Sequence, residues 1–326
     1  MEIGGYFGLE LQEEKAGFHT SPYRFNSGRA ALGFLLTQLK PSKVYLPFYT
    51  CNALLAPFEQ LQVPYVFYQV NEAFEIEVLP ELAADELLLY INYYDIKRTY
   101  SEKLADRYGH QFISDCTQAY FVKGNGKSWV FNSCRKFFGV PDGADLYVPD
   151  GIDLMQAYRQ LPENTNYTIA HLLARFNGET KKGYPFFQEN EIRNGEQIVK
   201  MSKLTQYLLS TVDEEKARLA RKENFEFLHA ELKATNQLKL QLEDVPESSF
   251  YPYLPEKLLK KHFFWEQDIF IPHFWNDCLD RNEVQDFEQE ITFSQHLLPI
   301  PIDHRYGPME LSRIIHLINK LNAHGF

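Results

Sequence analysis

The feature that most constrains this chain is the rhythm of its first half, where short apolar runs alternate with segments of helical spacing. KVYLPF (43–48), PYVFYQV (64–70), LLLYIN (87–92), HQFISD (110–115), SWVFNS (128–133) and ADLYV (144–148) are rich in Val, Ile, Leu, Tyr and Phe. Runs this short and this uniformly apolar predict strands buried on both faces. AALGFLLTQL (30–39), TCNALLAPFEQL (50–61) and SEKLADRYG (101–109) have helical spacing and lie between them. They supply the crossovers that parallel strands require. The expected fold class is therefore α/β, with a mostly parallel mixed sheet. Between Asp115 and Val148 strands follow too closely for crossovers, so at least one pair there is expected to be antiparallel.

After Gly151 the texture becomes polar and helical, most clearly over 201–234, a segment read as a helix linking two domains. The strand candidates PYLPE (252–256), DIFIPHFW (268–275) and HLLPIPID (296–303), with the amphipathic stretch 308–322, predict a small α/β domain. The expected division is 1–235 for the large domain, including an N-terminal segment 1–20, and 236–326 for the small one. A length of 326 residues suits that pairing. The stretch 177–195, with Lys181, Lys182, Tyr184, Phe186, Phe187 and Arg193, reads as a loop that orders on assembly.

Composition excludes several classes. No run reaches the roughly 18–20 apolar residues that cross a bilayer, and the start MEIGGYFGLELQEE lacks the features of a secretory signal. Cys51, Cys116, Cys134 and Cys278 form no CxxC or Cys/His pattern, so neither a disulfide framework nor a metal site is expected. A reducing, cytoplasmic setting follows. The net charge of −11 argues against a broad nucleic-acid-binding face.

Ligands of open α/β sheets bind beyond the carboxyl ends of the strands. Four such ends carry chemistry here. Asn26-Ser27-Gly28-Arg29 opens a helix, which fits a phosphate cradle and also an ordinary helix start. Asp115 ends a buried strand with Gln118 three residues on; it either meets a cationic group or caps the next turn. Ser133 and Lys136 follow SWVFN, with Phe137 and Phe138 placed to desolvate the amine and Arg135 to repel its charge. A lone lysine in such a place is otherwise a solvated surface residue. Tyr49, Thr50, Cys51 and Asn52 follow VYLPF and either wall a flat ligand or belong to the core.

One cofactor, pyridoxal phosphate (PLP), needs these parts together: a phosphate cup, a carboxylate for its ring nitrogen and a lysine amine. The motifs NSGRAAL, VYLPFYTCNAL, ISDCTQAY and FNSCRKFFGVPDGADLY, with the tail LLPIPIDHRYGPMELSRIIHLI, resemble those of the DegT/DnrJ/StrS sugar aminotransferases, a group of fold-type I PLP enzymes. The resemblance implies a three-layer αβα large domain, Lys136 as the cofactor's lysine and Asp115 as its ring-nitrogen partner. It places Gln118 near the phenolic oxygen, and Ser27, Gly28, Arg29 and Ser133 at the phosphate. Arg29 stands where Thr is usual. Cys51 stands where many relatives stack an aromatic ring, leaving Tyr49 or Tyr93 for that part. Asn92, Tyr93, Tyr184 and Arg193 are substrate candidates. The implied activity is amino transfer from glutamate to a nucleotide-linked keto sugar, serving surface-polysaccharide or related sugar biosynthesis, in a homodimer with shared sites. Dehydration or elimination on the same scaffold, or a non-catalytic protein of this fold, are the alternatives. Relatives that dehydrate sugars carry His in place of the lysine, which favours amino transfer for Lys136.

Overall fold

The computed structural model describes residues 17–324; residues 1–16 of the expected N-terminal segment lie outside it. In chain order the large sheet and its helices are β1 (Tyr23–Phe25), α1 (Gly28–Leu39), β2 (Lys43–Pro47), α2 (Asn52–Leu61), β3 (Tyr65–Tyr68), β4 (Glu86–Ile91), α3 (Arg98–Tyr108), β5 (Phe112–Asp115), β6 (Trp129–Phe131) and β7 (Ala144–Tyr147). A predominantly helical stretch follows, α4 (Met155–Arg159), α5 (Ala170–Phe176), α6 (Thr180–Arg193), α7 (Lys203–Thr211) and α8 (Glu214–Leu232). Last come β8 (Phe250–Tyr253), α9 (His262–Trp265), α10 (Glu288–His296), β9 (Leu298–Pro301) and α11 (Pro308–His324).

The first seven strands form one sheet in the order β1-β7-β6-β5-β4-β2-β3. The pairs from β3 through β2, β4 and β5 to β6 are parallel, while β7 runs antiparallel to both β6 and β1. The six apolar runs are thus six strands. The seventh, Tyr-Arg-Phe at β1, has only three residues and gives no periodic signal. Register aligns the strand ends: Ile91 pairs with Asp115, and Asp115 with Phe131. The segments after β4, β5 and β6 therefore leave the sheet side by side, and the turn after Phe25 joins them because β1 runs in the direction of β6.

Two cores hold the chain. The larger lies against the sheet and includes Phe25, Leu35, Leu46, Leu89, Ile113 and Trp129, all essentially inaccessible. Each such side chain contributes about 1.5–3 kcal/mol relative to exposure. The smaller joins Tyr251, Tyr253, Ile300 and Ile318 to Phe225, Leu228 and Leu232 of α8. Helix α8, which ends before the division expected at 235/236, therefore packs in the core of the segment that follows it.

Three expectations change. The stretch 201–234 is two helices, because Val212 is extended and Asp213 caps α8 through Lys216 N–H. DIFIPHFW is not a strand: Pro272 has no N–H to pair, and Trp275 takes a positive φ of 58°. The expected loop 177–195 is mostly helix α6, packed on α5. Gly183 lets the two helices approach, since a Cβ there would sit 3.1 Å from that of Ala174. Gly183 and Pro185 gave loop signals that this packing overrides.

Candidate active site

Lys136 lies in the turn after β6. Its amine donates to the Thr117 hydroxyl at 3.0 Å, and the Thr117 N–H donates to Asp115 Oδ1 at 2.8 Å. Burial pushes the Asp115 carboxyl up from its ordinary value, while the Lys136 charge and the Thr117 bonds pull it back. Asp115 thus caps the turn that follows it, within the electrostatic influence of Lys136. The backbone beneath Lys136 is fixed by the Pro141-Asp142-Gly143 turn. Gly143, at φ 123°, accepts from Cys134 N–H at 3.2 Å, and a Cβ there would lie 2.2 Å from Cys134 Sγ. No side chain could replace this glycine without displacing the lysine turn.

Opposite Lys136 stands the start of α1. A Cβ on Gly28 would lie 3.1 Å from Thr117 Cγ2 and 3.4 Å from the Asn132 carbonyl. The helix thus reaches the strand ends through the missing side chain, and its first N–H groups form the positive end of the helix dipole. Ser133 is buried, and its hydroxyl makes no hydrogen bond among the described residues. Cys51, at the start of α2, has its thiol pushed up by burial and pulled down by the Lys136 charge.

Other expected residues are already engaged. Ser27 accepts from Ala30 N–H and donates to the Asn194 carbonyl at 3.0 Å. The Arg29 guanidinium donates to the Glu191 carbonyl at 2.9 Å. Both side chains bind the end of α6, so the start of α1 offers chiefly backbone N–H groups. Arg135 meets the Glu191 carboxylate, and burial followed by repulsion from Arg29 lowers the Arg135 guanidinium to about 10. Gln118 accepts from Tyr94 N–H at 2.9 Å and steadies a turn in which Tyr94 and Asp95 have φ of 52° and 60°. Such backbone costs roughly 1–3 kcal/mol per residue.

Several further expected residues have partners within the fold. Tyr49 and Tyr93 stack on each other inside the core, and Tyr93 donates to the Tyr49 carbonyl at 2.8 Å. Both side chains are buried. Asn92 is fully enclosed; its oxygen accepts from Lys97 N–H and its amide faces Asp95. Phe137 and Phe138 pack with Tyr120 and Phe121 and line the same cavity as Lys136, which is exposed. Arg193 holds Glu189 and Asn166, Lys181 pairs with Asp268, and Lys182 with Glu179. Tyr184 stacks on Phe187 at the surface. Aromatic residues at strand ends gave a site signal, yet the sheet's apolar face claims them. Thr117 was missed although it lies between Asp115 and Gln118; Glu191 carries no sequence signal.

A cavity of about 710 Å³ opens beside Lys136. Arg135, His171, Phe176, Phe187, Leu208 and His304 are among its walls, and among the described residues no Asp or Glu lines it.

No family model and no curated protein matches the chain. Solved structures do. The PLP-form of Spr1654 from Streptococcus pneumoniae superposes with a TM-score of 0.63 at 13% identity, over 91% of this chain and 86% of that one. A DegT/DnrJ/EryC1/StrS aminotransferase from Brucella abortus gives 0.63 at 13%, over 92% and 85%. PseC of Helicobacter pylori, an aminotransferase of pseudoaminic acid biosynthesis, gives 0.62 at 14%, over 91% and 85%. Agreement over nine-tenths of the chain establishes that this protein has the α/β fold of the fold-type I aminotransferases.

Proposed function

We propose that this protein is a PLP-dependent aminotransferase acting on a keto sugar, nucleotide-linked, with glutamate as amino donor, in surface-polysaccharide or related sugar biosynthesis. The observation that carries the reading is the Lys136–Thr117–Asp115 chain facing the start of α1. The residues fit the cofactor. Gly28 leaves a cradle that a Cβ would fill, Ser133 offers an uncommitted hydroxyl, and Asp115 is a buried carboxylate beside a cation. The structural neighbours include a PLP-form and sugar aminotransferases.

When bound, PLP supplies a carbonyl that exchanges amino groups and a ring that accepts electron density. The Lys136 amine would hold it and, once released, move a proton at the substrate carbon that bears nitrogen. Asp115 would keep a proton on the ring nitrogen. Gly28 and Arg29 N–H groups with Ser133 would hold the phosphate, and Gln118 would lie near the phenolic oxygen. Thr117 orients the Lys136 amine.

A homodimer belongs to the same proposal. Helices α5 and α6 leave Leu173, Phe176, Tyr184, Phe186, Phe187 and Ile192 exposed, with Phe176 at 88%. An aromatic patch of this kind favours an interface, and it borders the cavity at Lys136. Among the described residues no helix is long and apolar enough to cross a membrane, which accords with a cytoplasmic setting. Borohydride reduction with PLP, then peptide mapping, tests the lysine. Glutamate followed by a panel of nucleotide-linked keto sugars tests donor and acceptor. A label elsewhere, or none at saturating PLP, overturns the cofactor assignment.

A further inference from the structure

Arg221, on α8, is the largest charged side chain that the fold encloses completely. A buried cation is costly unless its donors are used, and among the described residues no carboxylate hydrogen-bonds this one. Asp303 acts on it through charge alone, because Arg305 holds both carboxylate oxygens. The guanidinium turns instead to the lysine turn. Nη2 donates to the Phe137 carbonyl at 2.8 Å and Nη1 to the Ser249 hydroxyl at 3.0 Å. That hydroxyl donates in turn to the Lys136 carbonyl at 3.2 Å. The guanidinium lies 4.7 Å from the centre of the Phe137 ring, and Nη2 also meets His304 Nδ1 at 3.1 Å.

Two successive carbonyls, those of Lys136 and Phe137, are therefore held by Arg221 and by Ser249, which precedes β8. The other side of the same turn is held by Gly143. An exposed lysine needs such a clamp, since an amine that must meet one carbon loses rate steeply with misplacement. Packing alone does not explain the residue: Met or Leu would fill the same volume without the cost of burying charge.

We propose that Arg221 is a positioning residue for Lys136, which fixes the lysine's peptide through the Phe137 carbonyl and Ser249 and ties it to the smaller core. The proposal deepens the aminotransferase reading and rests on it only where PLP is the probe. Helix α8 is rooted in that core through Phe225, Leu228 and Leu232. The position of the small domain is thereby passed to the amine.

The test compares wild type with Arg221→Gln, Arg221→Ala and Ser249→Ala, each shown to melt cooperatively. PLP affinity is measured separately from the rate at which Lys136 becomes covalently labelled after borohydride. In labelling, the amine condenses with the PLP aldehyde with loss of water, and hydride fixes the resulting bond. Expected are unchanged non-covalent affinity, labelling slowed about tenfold in Arg221→Gln, within the roughly hundredfold that misplacement can cost, and partial recovery of Arg221→Ala with added methylguanidinium. Labelling at the wild-type rate in folded Arg221→Gln overturns the proposal. If both Arg221 variants fail to fold, Ser249→Ala decides: slower labelling supports the clamp and unchanged labelling removes it. If wild type takes no PLP at Lys136, the cofactor reading fails by itself. Amide exchange at Phe137 and Phe138 then decides, since both N–H groups donate to the Cys134 carbonyl within the clamped turn. Faster exchange in Arg221→Gln or Ser249→Ala supports the clamp, and no change overturns it.

Discussion

Thr117 stands between Lys136 and Asp115, taking the lysine's amine on its hydroxyl and giving its own N–H to the carboxylate. One residue thus sets both the direction of the amine and the aim of the acid. Thr117→Val keeps the shape and the backbone bond and removes only the hydroxyl. Lys136 should then be labelled by PLP roughly fivefold more slowly, the equivalent of about 1 kcal/mol for one hydrogen bond, with the melting temperature little changed. Stopped labelling followed by peptide mapping measures this; an unaltered rate would make the contact incidental.

Asp115→Asn separates chemistry from stability. Burial raises this carboxyl's pKa, so its charge is a burden on the fold, and a neutral isostere relieves it. We expect a melting temperature equal to or above wild type. Turnover should nevertheless fall by about a hundredfold or more, the scale on which proton-holding groups contribute. Near-normal turnover would reduce Asp115 to a structural cap for the turn at Thr117.

The sheet was legible in the sequence because its strands are apolar on both faces, and the order of ligand-bearing ends followed from their parallel course. Lys136, Asp115, Gly28 and Ser133 could be named because each follows a strand or opens a helix. Tyr49, Asn92 and Tyr93 occupy the same kind of position, yet their side chains turn into the core; local sequence does not say which way a residue past a strand end will face. Arg221, Ser249 and Glu191 lie 85, 113 and 55 residues beyond Lys136. Their approach to the lysine turn is set by how α6, α8 and the small core dock, which no local pattern encodes.

Asp145 offers a pH test away from the chemistry. Burial raises its carboxyl to about 6, against the attraction of Arg24 and the bond from Asn132. The unfolded chain releases this proton near the ordinary Asp value of about 3.9. Between there and about 6 the folded state binds more protons, so this group's contribution to stability falls as pH rises and is flat above. Across that window the loss amounts to about 3 kcal/mol at 1.36 kcal/mol per unit. In Asp145→Asn the difference from wild type should show this slope between about pH 4 and 6 in urea unfolding. Parallel stability curves would mean that Asp145 is ionised in the fold throughout.

Glu191 places a carboxylate on Arg135 while its carbonyl takes Arg29, so the end of α6 occupies the guanidinium groups of both. An incoming phosphate must compete with that carboxylate for Arg135, because two anions cannot both saturate one fork. Glu191→Gln removes the competing charge but keeps the backbone bond to Arg29. Inorganic phosphate should then bind roughly five- to tenfold more tightly, of the order of one charge-assisted contact. The readout is the rise in melting temperature with phosphate concentration, which reports binding to the folded state alone. Arg135→Gln in the same background should abolish the gain, since the released guanidinium is its source. If Glu191→Gln and wild type show the same phosphate dependence, Arg135 does not serve the phosphate cup, and the Glu191 contact only fastens α6 to the lysine turn.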